Sequence, residues 1–126
     1  MAEKMQPERS REWRILINNP QDSGFTHQII KEVINTLPHV IYWCMADEIS
    51  NKEHTYHTHL YICFENPIRF DTLKNKFPNA LIEKTLLSPV QNRDYIFKKG
   101  KWVDSAKSET QVSGTQEQYG TIPKRY

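Results

Sequence analysis

Several features are scarce in this 126-residue chain, and each scarcity narrows the reading. No apolar run approaches the roughly 18–20 residues that a membrane-spanning helix needs, and no secretory signal opens the chain. The protein is therefore expected to be soluble and intracellular, with no membrane partner. Cysteine is scarce: Cys44 and Cys63 both sit in apolar, strand-like runs, and no CxxC spacing occurs. That pattern suits reduced, buried thiols in a reducing compartment, a bacterial cytoplasm or a eukaryotic host nucleus. No GxxxxGK[ST] phosphate loop is present, so an ATPase is unsupported, and no helical HExxH pair marks a zinc hydrolase. There is no internal repeat. An excess of one charge is missing too: 17 basic residues face 15 acidic ones, a net charge of +2. Such a balance by itself says little about partners. Its distribution says more, because Arg93, Lys98, Lys99, Lys101 and Lys107 cluster against only Asp94 and Asp104.

What the chain does have is ordered alternation. Residues 1–10 are polar and aperiodic and read as a flexible terminus. Trp13-Arg14-Ile15-Leu16-Ile17 reads as a first strand ending at Asn18-Asn19-Pro20. Thr26 is a plausible N-cap for a helix that carries Ile29, Ile30, Val33, Ile34 and Leu37 on one stripe, stopped by Pro38. Residues 40–49 form a second strand. Residues 55–65 form a third, hairpin-paired with the second and ended by Asn66-Pro67. Phe70, Leu73 and Phe77 predict a short helix, and residues 80–84 a fourth strand. Ser88-Pro89-Val90-Gln91 has the form of a capped helix start: serine at N-cap, proline at the first position, glutamine at N3. That helix should run to Lys99, with Gly100 as its left-handed terminator. Lys101-Trp102-Val103 reads as a short edge strand, and residues 104–126 as a polar linker or tail. The fold class predicted is α+β, an antiparallel sheet of about five strands with helices packed on it.

Two constellations carry chemistry. In the third strand, His57, His59, Tyr61 and Cys63 share one face, while Thr58, Leu60, Ile62 and Phe64 share an apolar face. Two imidazoles two residues apart can reach one metal ion. Strand parity turns Glu48 toward the histidines and Asp47 away, so Glu48 is the expected third ligand. Asp47 remains a reserve, since a β-bulge would reverse the parity, and His54, near the turn, is another. Two imidazoles and one carboxylate suit Mn²⁺ or Mg²⁺ as a Lewis acid, or zinc as a water activator. The second constellation is Tyr95-Ile96-Phe97-Lys98, where positions i and i+3 place a candidate nucleophile beside a cation.

In order, these motifs resemble the HUH endonuclease domain of rolling-circle replication initiators. The likeness is to the single-tyrosine Rep proteins of circular single-stranded DNA viruses and related bacterial plasmids. Ile15-Leu16-Ile17-Asn18-Asn19 looks like motif I, His57-Thr58-His59-Leu60 like motif II, and Tyr95-Ile96-Phe97-Lys98 like motif III. The resemblance covers residues 11–103. It implies an HUH/RRM-like fold and a metal-dependent nickase and strand transferase. On that reading Mn²⁺ or Mg²⁺ sits on Glu48, His57 and His59. Tyr95 attacks a phosphate of a single-stranded origin hairpin loop, and Lys98 lies beside it. Asn18, Asn19, Arg93, Lys99 and Lys101 are expected to contact DNA. Family members usually carry a helicase domain after the nuclease. Gly120-Thr121-Ile122-Pro123 looks like the start of that connection, so a missing C-terminal domain would carry any oligomer formation.

A different class of reading is a binding module without chemistry. Tyr42 and Tyr61 on an exposed sheet could stack single-stranded bases. Such a module needs neither Tyr95 nor metal.

Overall fold

The computed structural model describes residues 8–18, 20–49, 55–99 and 111–124. Its elements are β1 (Arg9–Asn18), α1 (Pro20–Ser23), α2 (His27–Ile34), β2 (Val40–Ile49), β3 (Tyr56–Arg69), α3 (Phe70–Lys76), β4 (Leu81–Lys84), α4 (Pro89–Phe97) and β5 (Glu117–Gly120). The strands form one sheet in the order β4-β1-β3-β2-β5, antiparallel throughout. This is the predicted α+β class. β1 and β2 both flank β3, so they run parallel to each other, and α2 carries the chain between them. Among the described residues no helix is long and apolar enough to cross a membrane.

β3 is central because both of its faces are apolar enough to bury. On one face Leu60, Ile62 and Phe64 pack with Trp13, Ile15, Ile17, Trp43 and Met45 under Ile30 and Ile34 of α2 and Leu73 of α3. On the other, Tyr42, Cys44, Ala46, Tyr61 and Cys63 pack under Ile96 and Phe97 of α4. This second cluster removes the exposed stacking surface on which the binding-module reading rested. Tyr42 is 1% and Tyr61 0% exposed, and burial raises both phenols above their ordinary range. Burial also pushes the Cys44 thiol up to about 12, so it is an inert core thiol.

Several boundaries differ from the prediction, among them a short helix at Pro20–Ser23 where a loop was expected and an end to α2 at Ile34. β3 continues through Asn66-Pro67 to Arg69, which gives Arg9 and Ser10 a partner and starts β1 inside the expected loose terminus. The register slips between Ser10 and Glu12, and Pro67, which has no N–H to donate, falls in that unpaired stretch. A bulge between Val40 and Tyr42 turns Ile41 to the α4 side rather than to the face of Trp43. The expected tail is partly sheet: β5 pairs with β2, Tyr42 opposite Gly120 and Cys44 opposite Gln118. Gly120 permits this at φ +90, where a Cβ would lie 2.2 Å from the Ile41 carbonyl oxygen. Finally, α4 stops at Phe97, and Lys98 takes the left-handed conformation (φ 57, ψ 50). The edge strand expected at 101–103, and Gly100 itself, lie outside the described residues.

Candidate metal centre and nucleophile

The histidine face forms as strand alternation dictates. Glu48 pairs in register with His57, and His59 lies opposite Ala46 on β2 and Leu16 on β1. No bulge intervenes on this part of β2, so Glu48 turns toward the histidines and Asp47 away. His57 Nε2 is 3.9 Å from Glu48 Oε1, and His59 Nε2 is 3.5 Å from Glu48 Oε2. One donor atom from each residue lies within 4.8 Å of the others. Metal–donor bonds of about 2.1 Å need donors roughly 3 Å apart, so a small contraction would close the set on an ion.

The charge states fit the same purpose. Burial pushes the Glu48 carboxyl up, but His57, His59 and Lys98 around it prevail and lower it to about 2. It is therefore anionic at any physiological pH. Burial lowers the His59 imidazole; the Glu48 carboxylate opposes this, while His57, Lys98 and Arg14 add to it, and the result is about 4. His59 is thus neutral near pH 7, the form that offers a lone pair to a metal.

Lys98 enters the same cluster from α4. Its Nζ lies 2.5 Å from Glu48 Oε2 and 2.9 Å from the Tyr95 carbonyl oxygen. The side chain is 3% exposed. A lysine in the left-handed region is strained by about 1–2 kcal/mol. The buried pair offsets that strain, because a helical continuation would leave the Glu48 carboxylate without its cation. This is why the helix ends earlier than its sequence predicts.

Tyr95 is held by a well-anchored helix. The capping box forms as read: Ser88 Oγ accepts from Gln91 N–H at 3.1 Å, and Gln91 Oε1 accepts from Ser88 N–H at 2.8 Å. Buried Asn92 donates to the Leu87 and Ser88 carbonyls at 3.1 and 3.0 Å. At the far end Gln111 and Gln116 donate to the Ile96 and Phe97 carbonyls at 2.7 and 3.2 Å. These two glutamines had no signal in the sequence, since they lie in what read as a tail. The Tyr95 ring lies 6.0 Å from the His59 ring, edge-on at 80°. Lys98 Nζ is 4.2 Å and Arg14 Cζ 4.9 Å from its centroid. The three expected ligands and the expected tyrosine–lysine pair therefore form one cluster.

No family model and no curated protein matches the chain. The site is read from its own geometry.

The expected DNA contacts divide. Asn18 is exposed and opposite His57 in the β1–β3 register, in the row that continues to Glu48. Arg93 is not brought to the cluster; its guanidinium bonds Asp94 Oδ1 on the same helix at 3.0 and 3.2 Å. Lys99 is exposed, with Nζ 5.6 Å from the Phe97 ring. Asn19, Lys101 and the reserve ligand His54 lie outside the described residues.

Asp47, the other reserve, has a different role on the opposite face. It accepts from Tyr56 Oη at 2.6 Å and Thr58 Oγ1 at 2.7 Å, and it meets His27 Nε2 at 2.7 Å. His27 Nδ1 meets Glu117 of β5 at 2.6 Å, and Glu117 also takes Lys31 Nζ at 2.8 Å. The bond to Asp47 raises the His27 pKa, against burial and with help from Glu117. Two further bonds tie the later segment to Asp47: its N–H donates to Thr115 Oγ1, and its carbonyl accepts from Val112 N–H. Asp47 is thus a structural hub, which removes it as a metal ligand.

Proposed function

We propose that this domain is a metal-dependent single-stranded DNA endonuclease and strand transferase that works through a covalent tyrosine intermediate. The observation that carries the reading is the convergence of Tyr95 with Glu48, His57, His59 and Lys98 on one sheet face, with the tyrosine ring 6.0 Å from His59. The motif resemblance names the same five residues independently of their geometry.

The donor set fits a divalent ion of the Mn²⁺ or Mg²⁺ kind, held by Glu48, His57 and His59. When bound, such an ion supplies Lewis acidity to a phosphate oxygen. The protein's own residues do the rest. Helix α4, locked at both ends, holds the Tyr95 hydroxyl in one place and so supplies orientation. Tyr95 Oη forms a bond to phosphorus and gives up its proton to water. The bond from phosphorus to the 3′ oxygen breaks, and that oxygen takes a proton from water. A 5′-phosphotyrosine linkage and a free 3′-OH result. The ester is conserved in the linkage, so attack by a 3′-OH on the phosphotyrosine reverses the step and rejoins strands without a nucleoside triphosphate. An origin hairpin loop of a rolling-circle replicon is the substrate that the resemblance implies.

The test is a denaturing gel of the protein with labelled single-stranded hairpin oligonucleotides carrying randomised loops, run with Mn²⁺, with EDTA and with Tyr95→Phe. A covalent band that needs both metal and Tyr95 is the expected result. Metal-dependent cutting that survives Tyr95→Phe would sink the tyrosine mechanism.

A further inference from the structure

We infer that Arg14 is the residue that holds the phosphate attacked by Tyr95. The inference rests on the single-stranded DNA reading above and goes beyond it, because no motif of the resemblance includes this position. Alternation along β1 sends Trp13, Ile15 and Ile17 into the core and turns Glu12, Arg14, Leu16 and Asn18 to the histidine face. Leu16 is opposite His59, and Arg14, one step along the same face, is opposite Tyr61. The half-buried Arg14 places its guanidinium carbon 4.9 Å from the Tyr95 ring centroid.

What marks Arg14 is the availability of its donors. A guanidinium presents five N–H groups in a planar fork. Among the described residues none of them makes a hydrogen bond or ion pair. Glu83 of β4 is its partner in strand register, yet no ion pair forms between them. Lys98 is differently placed: its ammonium is already engaged by Glu48 and by the Tyr95 carbonyl. Among the described residues, Arg14 and Lys98 are the cations on the tyrosine ring, and of these Arg14 has the uncommitted donors. A phosphodiester carries a single negative charge and two non-bridging oxygens, which a guanidinium fork meets in parallel. A phosphate within reach of the Tyr95 hydroxyl would arrive beside that fork. A cation resting on a ring for packing alone predicts lost stability and no change in the protein's response to salt.

The experiment uses the whole chain as wild type, Arg14→Leu, Arg14→Lys and Tyr95→Phe. Binding of a fluorescent oligothymidylate is followed by anisotropy over a range of KCl concentrations, with Mn²⁺ present. Covalent adduct formation is timed on the hairpin pool, and Mn²⁺ binding by calorimetry reports whether each variant retains its fold and metal group. Arg14→Leu should weaken oligothymidylate binding roughly ten- to hundredfold. It should also flatten the slope of log affinity against log salt by about 0.7, the share of one phosphate on a single strand. Arg14→Lys should keep the slope, since a point charge remains, and form adduct at least about tenfold more slowly, since the fork is lost. If both variants match wild type in slope and adduct rate, the assignment of Arg14 is overturned, while a Tyr95-dependent adduct leaves the nuclease reading intact. If wild type neither binds oligothymidylate nor forms adduct, the nuclease reading fails and Arg14 falls with it. Should Arg14→Leu lose Mn²⁺ binding, Arg14→Lys decides: a wild-type adduct rate in that variant overturns the assignment.

Discussion

Lys98→Met removes the ammonium from Glu48 while keeping a long side chain in the same space. The pair is 2.5 Å apart, with side chains 3% and 8% exposed, so solvent screens it little. Removing one partner of a buried pair leaves an uncompensated charge and typically destabilises by about 3–5 kcal/mol. The lower end applies here, because the polar His57 and His59 side chains remain 3.9 and 3.5 Å from the carboxylate. For a domain of this size about 3 kcal/mol lowers Tm by roughly 12 °C. Mn²⁺ should reverse the loss, since its charge replaces the ammonium on the same carboxylate. The ion no longer competes with Lys98, so the variant should bind Mn²⁺ roughly tenfold more tightly and gain more Tm than wild type at equal metal concentration. Scanning calorimetry in EDTA and in Mn²⁺, with titration calorimetry for the Kd, measures both effects. A variant as stable as wild type in EDTA, or one that binds Mn²⁺ no more tightly, would refute the view that Lys98 holds the charge of Glu48 in the metal-free site.

Acid should unfold the domain in two linked stages. His59, lowered from 6.5 to about 4, stays neutral while the unfolded chain protonates, so stability falls as pH drops from 6.5 to 4. Glu48, lowered from 4.5 to about 2, contributes stability that is whole above 4.5 and lost as pH falls toward 2. Each group accounts for about 3 kcal/mol; urea midpoints that stay flat from pH 6.5 to 4 would contradict the first stage. His27 has the opposite sign, since its raised pKa adds stability below 6.5 that is lost as pH rises through its folded value. Asp47→Asn cannot accept all three bonds from His27, Tyr56 and Thr58, and should destabilise by about 2–3 kcal/mol. The His27 titration, followed by NMR, should then move back toward its ordinary range. Gly120→Ala should release β5, because its Cβ would meet the Ile41 carbonyl at 2.2 Å at a φ of +90. Faster amide exchange at Tyr119 and Thr121, with a loss of about 2 kcal/mol, is the readout.

The site was legible in the sequence to the extent that it is local. His57 and His59 share a face because strands alternate, and Glu48 joins them by the parity of β2. Ser88, Pro89 and Gln91 announce the start of the helix that bears Tyr95. Each of these depends on a few neighbouring residues and a short period. Arg14 was also legible in principle, as a charge on the histidine face of β1, but nothing in its own strand shows that Tyr95 lies above it. The same limit hid Gln111 and Gln116, whose partners are the last carbonyls of α4.

Alternation and capping therefore determined the α+β class, the strand faces, the grouping of Glu48 with His57 and His59, and the helix that bears Tyr95. Long-range geometry decided the rest. A second buried face exists because α4 folds over Tyr42 and Tyr61, which no strand pattern specifies. Glu117–Gly120 becomes a strand because Gly120 lets the backbone approach Ile41, and because Glu117 meets His27 and Lys31. Lys98 leaves the helix because a buried carboxylate fifty positions earlier needs its charge. In each case the energy belongs to a pair of residues distant in the chain, and folding is what brings them together.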